Sequence, residues 1–186
     1  TIGNNAFFGC SSLENLNFLK PLLGETNLNL TSVGSYCFGY CANLSDYSGF
    51  TVCTKLTSVP TGCFAKKSSV PTTRNLDWLP PNITSIEFGA FQHFCFQRFS
   101  VPLTKADGSP NPIKIGNYAF RYNDSLIDFR NPSDTGPGIL MNLTGTNAFR
   151  ECKNLTTLNG LNLDTSNNTY IPLGSFRQCE KLAGGL

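Results

Sequence analysis

The feature that most constrains this chain is a motif that returns along its whole length, a small residue followed by phenylalanine. It first appears in NNAFFGCSSL, and we call the phenylalanine after the small residue the anchor of its unit. Seven anchors occur: Phe7, Phe38, Phe64, Phe91, Phe120, Phe149 and Phe176. Consecutive anchors lie 26 to 31 residues apart, a period typical of solenoids, in which one coil cannot bury its apolar face alone. We therefore predict one array of about seven stacked coils over residues 1–186.

Two further apolar columns accompany the anchors. An aliphatic residue stands five positions before the anchor, or six in one unit: Ile2, Val33, Val59, Ile86, Ile115, Leu143 and Ile171. Another apolar residue stands six positions after it in most units, and it opens a segment of the type LxxLxF, such as Leu13–Phe18 or Phe96–Val101. The period-2 ending of that segment predicts strands that pair into a parallel sheet, and AFxxC predicts a short helical turn on the opposite side. The expected fold class is an irregular α/β-type solenoid.

The unit resembles that of the BspA-like leucine-rich repeat family, in which an aliphatic residue, AF, a cysteine and two leucines follow at fixed spacing. TIGNNAFFGCSSLENL is a close match, and the resemblance covers nearly the whole chain. Three units depart from the pattern: Lys67 and Asn123 replace the cysteine, and Cys95 comes one position late. The resemblance implies a leucine-rich-repeat solenoid and a cell-surface or secreted protein of a bacterium or parasitic protist that adheres to host proteins or other cells.

Charge and hydropathy exclude several classes of partner. Fourteen basic residues stand against 12 acidic ones, giving a net charge of +2, and they are scattered along the chain. This pattern argues against a nucleic-acid groove, and no apolar run approaches the roughly 20 residues of a membrane span. Because the chain begins with Thr1 in the middle of a unit, we expect it to be a piece of a longer protein.

Eight cysteines leave three interpretations open. Six of them recur in two columns beside the anchors, which favours a role as small buried apolar residues. The alternative is a disulfide between neighbouring coils, pairing residues 10 with 41, 37 with 63, or 152 with 179. Metal binding is disfavoured, because CFGYC has the wrong spacing for a zinc site and no partner motif exists.

Other candidate sites are few. His93 is the only histidine, and the sequence contains no recognisable nucleophile elbow or phosphate-binding glycine motif, so we expect neither an enzyme nor a cofactor. Trp78 is the only tryptophan and is expected either in a local core, which Leu76 and Leu79 favour, or in a binding contact. Of seven N-x-S/T sequons, Asn29, Asn82 and Asn167 lie in predicted loops and are the candidate glycosylation sites.

A partner is expected on the strand face, at positions that alternate with the core. These positions are Asn15, Asn17, Asp46, Ser48, Arg98, Ser100, Asp128, Arg130, Thr157 and Asn159. Their short polar side chains suit a protein or glycan and not an apolar small molecule, and a plain solvated face is an equal alternative. The insertions Lys105–Pro112 and Asn131–Gly138 are competing sites. The predicted function is adhesion-type recognition. One alternative is a scaffold or spacer in a larger assembly, for which an intracellular location stays open, and another is an accessory region of an enzyme.

Overall fold

The structure is a computed structural model, and it describes residues 1–20, 30–69, 74–99, 109, 111–129, 139–166 and 170–183. Five short strands form one parallel sheet in the order in which they occur in the chain. They are β1 (Ser58–Val59), β2 (Ser85–Ile86), β3 (Ile113–Ile115), β4 (Ile139–Leu143) and β5 (Leu161–Leu163). Parallel strands in sequential order mean that each coil adds one strand beside the previous one, so the predicted fold class, a repeat solenoid with a parallel sheet, is confirmed.

The first four strands contain the aliphatic column that precedes the anchors, whereas β5 lies before Ile171, the column residue of its unit. Val59 pairs with Ile86, Ile86 with Ile115, and Ile115 with Leu143. An isolated bridge between Ile2 and Val33 extends the same register to the first two coils. β-Branched side chains favour this extended, half-buried backbone, and Val59, Ile86 and Ile115 are buried.

The predicted position of the strands within the coil is therefore wrong. Leu13–Phe18 makes a single bridge, Asn15 to Asp46, before a 3₁₀ helix begins at Asn17–Leu19. The equivalent segment of the next coil leads into the short helix α1, Ser48–Thr51. Leucines at positions 13, 16 and 19 recur every three residues, which is the period of a 3₁₀ helix and not of a strand. Only the bridge between Leu76 and Phe99 represents the second predicted strand, Phe96–Val101, within the described residues.

The AFxxC segment forms a tight turn, but left-handed residues keep it from becoming helical. The residue two positions before each anchor has a φ between 54° and 69°: Asn5, Tyr36, Gly62, Gly89, Tyr118, Asn147 and Gly174. The residue two positions after it is also left-handed in six units: Gly9, Tyr40, His93, Tyr122, Glu151 and Gln178. This alternation turns the backbone amides of the turn toward the next coil. The amide of Phe64, for example, donates to the carbonyl oxygen of Ala90 at 2.8 Å, and that of Phe91 to Ala119 at 2.8 Å.

The anchors form the central column of the core. All six pairs of consecutive anchor rings are stacked, with centroids 5.1 to 5.6 Å apart and interplanar angles no larger than 15°. The anchors from Phe38 to Phe149 are at most 1% exposed. Each stacked pair adds about 0.5–1.5 kcal/mol to the burial of the rings themselves.

Close backbone contact between coils yields a testable prediction at Gly145. A Cβ atom on this residue would lie 2.0 Å from the carbonyl carbon of Gly116, whereas one on Gly3, in the same column of the first coil, meets nothing within 4 Å. Because backbone atoms cannot yield as a flexible side chain can, Gly145→Ala should lower the free energy of unfolding by about 3 kcal/mol, and Gly3→Ala by less than about 0.5 kcal/mol. Urea unfolding of both variants measures the difference, and equal stabilities would contradict the assigned register.

Candidate functional site

The predicted binding residues lie along a second line of contact between the coils, which consists of isolated bridges and not of continuous strands. We call this line the ladder. The structure brings Asn15, Asn17, Asp46 and Ser48 together: Asn15 pairs with Asp46, and the Ser48 hydroxyl lies 3.5 Å from the Asn17 amide oxygen. Asn17, Asp46, Ser48 and Asn159 are exposed, and Asn15, Arg98 and Thr157 are partly exposed. Ser100, Arg130 and the loop Asn131–Gly138 lie outside the described residues, as does most of Lys105–Pro112.

Several of these side chains stabilise their own turn. The Asp46 carboxylate accepts a hydrogen bond from the Ser48 amide at 2.9 Å. A hydrogen bond with the Ser48 side chain and, second, this bond to its amide lower the pKa of Asp46. Asn15 accepts from the Asn17 amide in the same way, at 3.1 Å. These short local bonds hold the backbone of the ladder in its turn and leave Asn17 and Ser48 on the surface.

Asp128 is not a surface residue, which corrects the prediction for this position. It is 1% exposed, and its carboxylate accepts a hydrogen bond from Arg98 Nε at 3.1 Å. The prediction assumed that residues alternate in and out along a strand, but Leu126, Asp128 and Phe129 are all buried in this segment. The ion pair allows a buried carboxylate, because the guanidinium compensates its charge.

A groove of about 380 Å³ opens beside Asp46 and Ser48. Sequence reasoning found those two residues but missed the opposite wall, which Arg74, Asn75 and Asp77 form. The rings of Tyr47 and Trp78 also line this groove, and they are stacked with centroids 4.3 Å apart. Trp78 is half-buried. It packs against the core and also forms part of the surface of the groove.

A second cavity of about 320 Å³ adjoins the groove and shares its Tyr47, Trp78, Arg74 and Asn75 walls. We call it the third-coil cavity, because Lys66 and Lys67 of the third coil line it. The Lys66 ammonium donates to the carbonyl oxygens of Cys41 and, at 3.3 Å, Leu44. Burial, with a smaller contribution from the nearby Arg74 guanidinium, lowers the pKa of Lys66 to about 8. The sequence does mark this unit as irregular, because Lys67 stands where the repeat has cysteine.

His93 also lines this cavity, and its contact with Ser69 differs from that of a Ser–His nucleophile. The Ser69 hydroxyl donates its one hydrogen to the carbonyl oxygen of Tyr122, at 2.6 Å. The contact of 3.0 Å between Ser69 Oγ and His93 Nδ1 must then be a bond that the imidazole donates. A Ser–His nucleophile requires the opposite direction. Burial lowers the pKa of His93, and its ring stacks on Tyr122 with centroids 4.2 Å apart.

The cysteine column has a structural role that sequence reasoning described only in part. All eight cysteines are free thiols, and seven are buried, while Cys10 is exposed. The thiols of Cys41, Cys152 and Cys179 each donate to the carbonyl oxygen of the preceding anchor, at 3.0 to 3.3 Å. Asn123, which replaces cysteine in its unit, donates to the same carbonyl, that of Phe91, at 2.9 Å. The column thus supplies a small donor that joins neighbouring coils.

Sequons divide according to their burial. Asn123 is 0% exposed, so its sequon is closed to a glycosyltransferase in the folded chain. Asn82 is exposed and donates to the carbonyl oxygen of Thr54 at 2.7 Å, and it remains a candidate acceptor. Asn29 and Asn167 lie outside the described residues. Within the described ranges, no helix is long and apolar enough to cross a membrane, and no group of three or more potential ligands could hold a metal ion.

The comparison with protein-family models agrees with the repeat pattern. The family model of the BspA type leucine rich repeat region matches the chain in six copies, over residues 1–105 and 31–183, which confirms the resemblance drawn from the motif. The curated proteins give no match. Among solved structures, the chain is similar to a leucine rich cell surface protein from Faecalibacterium prausnitzii A2-165, with 20% identity and a TM-score of 0.34. That match covers 97% of this chain and 62% of the other, so the chain spans less than two thirds of that protein. The family match and the stacked coils make the chain a repeat module of the class used for protein interaction.

Thiol reactivity should follow burial. Burial raises the pKa of Cys37 to about 12 and raises those of Cys63 and Cys152 well above the ordinary value, so these thiols stay protonated and unreactive at neutral pH. We expect iodoacetamide to modify exposed Cys10 first and these three last, with all eight reacting once urea unfolds the chain. Residue-resolved mass spectrometry follows the order, and a thiol that reacts only after reduction would reveal a disulfide instead.

Alkaline pH should lower the free energy of unfolding. The pKa values of six thiols, Cys37, Cys41, Cys53, Cys63, Cys95 and Cys152, are raised in the fold. Above pH 8.5–9, unfolded chains lose these protons while folded ones keep them, so each group lowers stability by up to about 1.4 kcal/mol per pH unit. Lys66, whose pKa is lowered, acts in the opposite direction. Urea unfolding from pH 7 to 10 with reductant measures the slope, and Cys63→Ala should make it shallower; a flat profile would contradict the burial of these thiols.

Proposed function

We propose that this chain, which belongs to the BspA-type leucine-rich repeat family, is a recognition module that adheres through non-covalent contact to a protein or glycan on a host or neighbouring cell. The observation that carries the proposal is the groove beside Asp46 and Ser48. It combines exposed polar residues with the rings of Tyr47 and Trp78. We call the exposed residues Asn17, Asp46 and Ser48 at its edge the rim. Tryptophan, tyrosine and arginine are the residues that most often dominate binding energy at interfaces, and all three line this groove.

The rim suits the same role. Asn17 and Ser48 come from neighbouring coils and lie side by side, and both are exposed. Their turns are already fixed by local hydrogen bonds, so a partner that contacts them orders little additional backbone. We place the primary contact at Asn15, Asn17, Asp46 and Ser48, with Arg98, Thr157 and Asn159 further along the ladder.

Recognition without catalysis is supported by the direction of the bond between His93 and Ser69, which leaves the hydroxyl without a base. A location at the cell surface or in secretions is supported by the family, and exposed Asn82 would accept a glycan if the source has a eukaryotic secretory route. A net charge of +2 supports partners other than nucleic acid.

A scaffold or spacer in a reducing compartment is the second candidate, and the eight free thiols favour it. The hydrogen bonds of Cys41, Cys152 and Cys179 weaken this argument, because a column that needs the S–H group as a donor would keep its thiols in any compartment.

Direct binding tests the proposal. The folded chain is applied to immobilised matrix proteins, a glycan array and whole cells, beside the double variant Asn17→Arg/Ser48→Arg. Two long charged side chains at the rim should weaken saturable binding at least tenfold. The control Asn162→Arg/Thr165→Arg changes exposed residues on and just after β5, in the sixth unit and away from Asn17 and Ser48, and should bind as the unmodified chain does.

Circular dichroism and thermal unfolding establish that both variants keep the fold. If the chain binds none of these surfaces, the adhesion proposal fails and the scaffold becomes the better account. If Asn17→Arg/Ser48→Arg binds as tightly as the unmodified chain, or no more weakly than the control, the assignment of the contact to these residues is wrong.

A further inference from the structure

The third-coil cavity has the size and the aromatic lining of a small-ligand site, which contact with a partner at the rim does not explain. Its volume of about 320 Å³ is at the lower end of the range for small-ligand sites, and it is more enclosed than the neighbouring groove. The lining includes three small residues, Gly9, Ser11 and Ala42. It also includes three aromatic residues, Tyr47, Trp78 and Phe94. The Phe94 ring lies 5.2 Å from that of Tyr47 and 5.8 Å from that of Trp78, centroid to centroid.

Charge in the cavity is of one sign. Lys66, Lys67 and Arg74 line it, and its described lining contains no aspartate or glutamate. Lys66 and Arg74 are near enough for the guanidinium to lower the pKa of the lysine, so the two cations repel each other. An anion between them would relieve that repulsion and gain from the low dielectric of a partly buried site.

Hydrogen-bonding groups in the cavity are also incompletely satisfied. An ammonium has three donors, and that of Lys66 gives two of them to the carbonyls of Cys41 and Leu44. No carboxylate bonds to Lys66 among the described residues. Asn75 lines the cavity, and its buried amide oxygen has no hydrogen-bond partner in the same part of the chain. Such an oxygen is costly to bury, and a hydroxyl or N–H of a ligand would satisfy it.

We propose that the third-coil cavity binds a carboxylate-bearing monosaccharide of the uronic or sialic acid type. The carboxylate lies at Lys66 and Arg74, a hydroxyl donates to the Asn75 amide oxygen, and the apolar face of the sugar ring packs against the aromatic wall. One remaining ammonium donor and a guanidinium suit a singly charged carboxylate better than a phosphate dianion, which needs more donors.

This inference deepens the proposed function, on which its biological setting rests, by naming the class of glycan that the module recognises. The groove that holds the rim shares Tyr47, Trp78, Arg74 and Asn75 with the cavity, so a terminal acidic sugar in the cavity would place the rest of its glycan along the rim.

Free sugars in solution test the inference without any cell-binding step. Glucuronic acid and N-acetylneuraminic acid are titrated into the chain and compared with glucose and the methyl ester of glucuronic acid, in which the charge is absent. Trp78, the only tryptophan, lines the cavity, so its fluorescence reports occupancy directly, and calorimetry gives the affinity. We expect at least one acidic sugar to bind saturably, and its neutral counterpart at least tenfold more weakly.

Matched variants locate the site. Arg74→Gln removes a charge from an exposed residue whose guanidinium also donates to the Ser45 carbonyl oxygen. It should weaken acidic-sugar binding at least tenfold, and circular dichroism checks that the variant keeps the fold. Lys66→Gln should do the same; if loss of its bonds to Cys41 and Leu44 unfolds the chain, Arg74→Gln alone decides. Lys114→Gln removes a charge from an exposed position of β3, outside the cavity, and should leave binding unchanged.

Four results would overturn the inference: no saturable binding of either acidic sugar, equal binding of glucose, equal weakening by Lys114→Gln, or tighter binding of inorganic phosphate. Tighter binding of indole-3-acetate than of either sugar would replace the sugar with an aromatic carboxylate and also count against it. Adhesion to cells by a chain that binds no free acidic sugar would refute this inference and leave the proposed function standing.

Discussion

The stacking of the anchor rings sets the geometry on which the rest of this molecule depends. Centroid separations of 5.1 to 5.6 Å are close to the spacing of about 4.8 Å between paired strands, so the aromatic column and the backbone ladders share one repeat distance. The anchors, the turns around them and much of the aliphatic column then lie directly beside their equivalents in the next coil. A residue is thus selected as much by its counterpart 26 to 31 positions away as by its own neighbours in sequence.

The cysteine column shows this selection at one position. Two conditions are met three residues after the anchor in four units: the side chain is small, and it donates a hydrogen bond to the preceding anchor's carbonyl oxygen. Lys67 and Phe94 occupy this position in the third and fourth units. Cys41 and Cys152 meet both conditions with a thiol, and Asn123 meets them with an amide. Because asparagine cannot form a disulfide, the exchange argues that donation is what the position requires, and it explains why many cysteines need not mean bridges.

The columns made the architecture predictable, but not the assignment of strand and helix within a coil. Seven anchors with matching apolar columns indicated a stacked array, whereas Leu13, Leu16 and Leu19 fit a strand ending or a 3₁₀ helix until the neighbouring coil is placed. Asp128 was misplaced for the same reason, since alternation holds only in a strand. The third-coil cavity could not be read from sequence, because its walls come from coils one to four and meet only after stacking.

The cavity arises where the repeat is broken. In regular units the residue two positions after the anchor is left-handed and a cysteine follows it, so the turn fills itself. In the third unit Lys66 is not among the left-handed residues of the described chain, and Lys67 replaces the cysteine. The Lys66 ammonium then reaches back to the carbonyls of Cys41 and Leu44 in the preceding coil. In this chain the concave, charged site lies at the unit that departs from the pattern, where Lys66 and Lys67 line it in place of a regular turn. In such an array, departures from the repeat are therefore the first places to examine for binding chemistry, because the regular positions are already accounted for by packing.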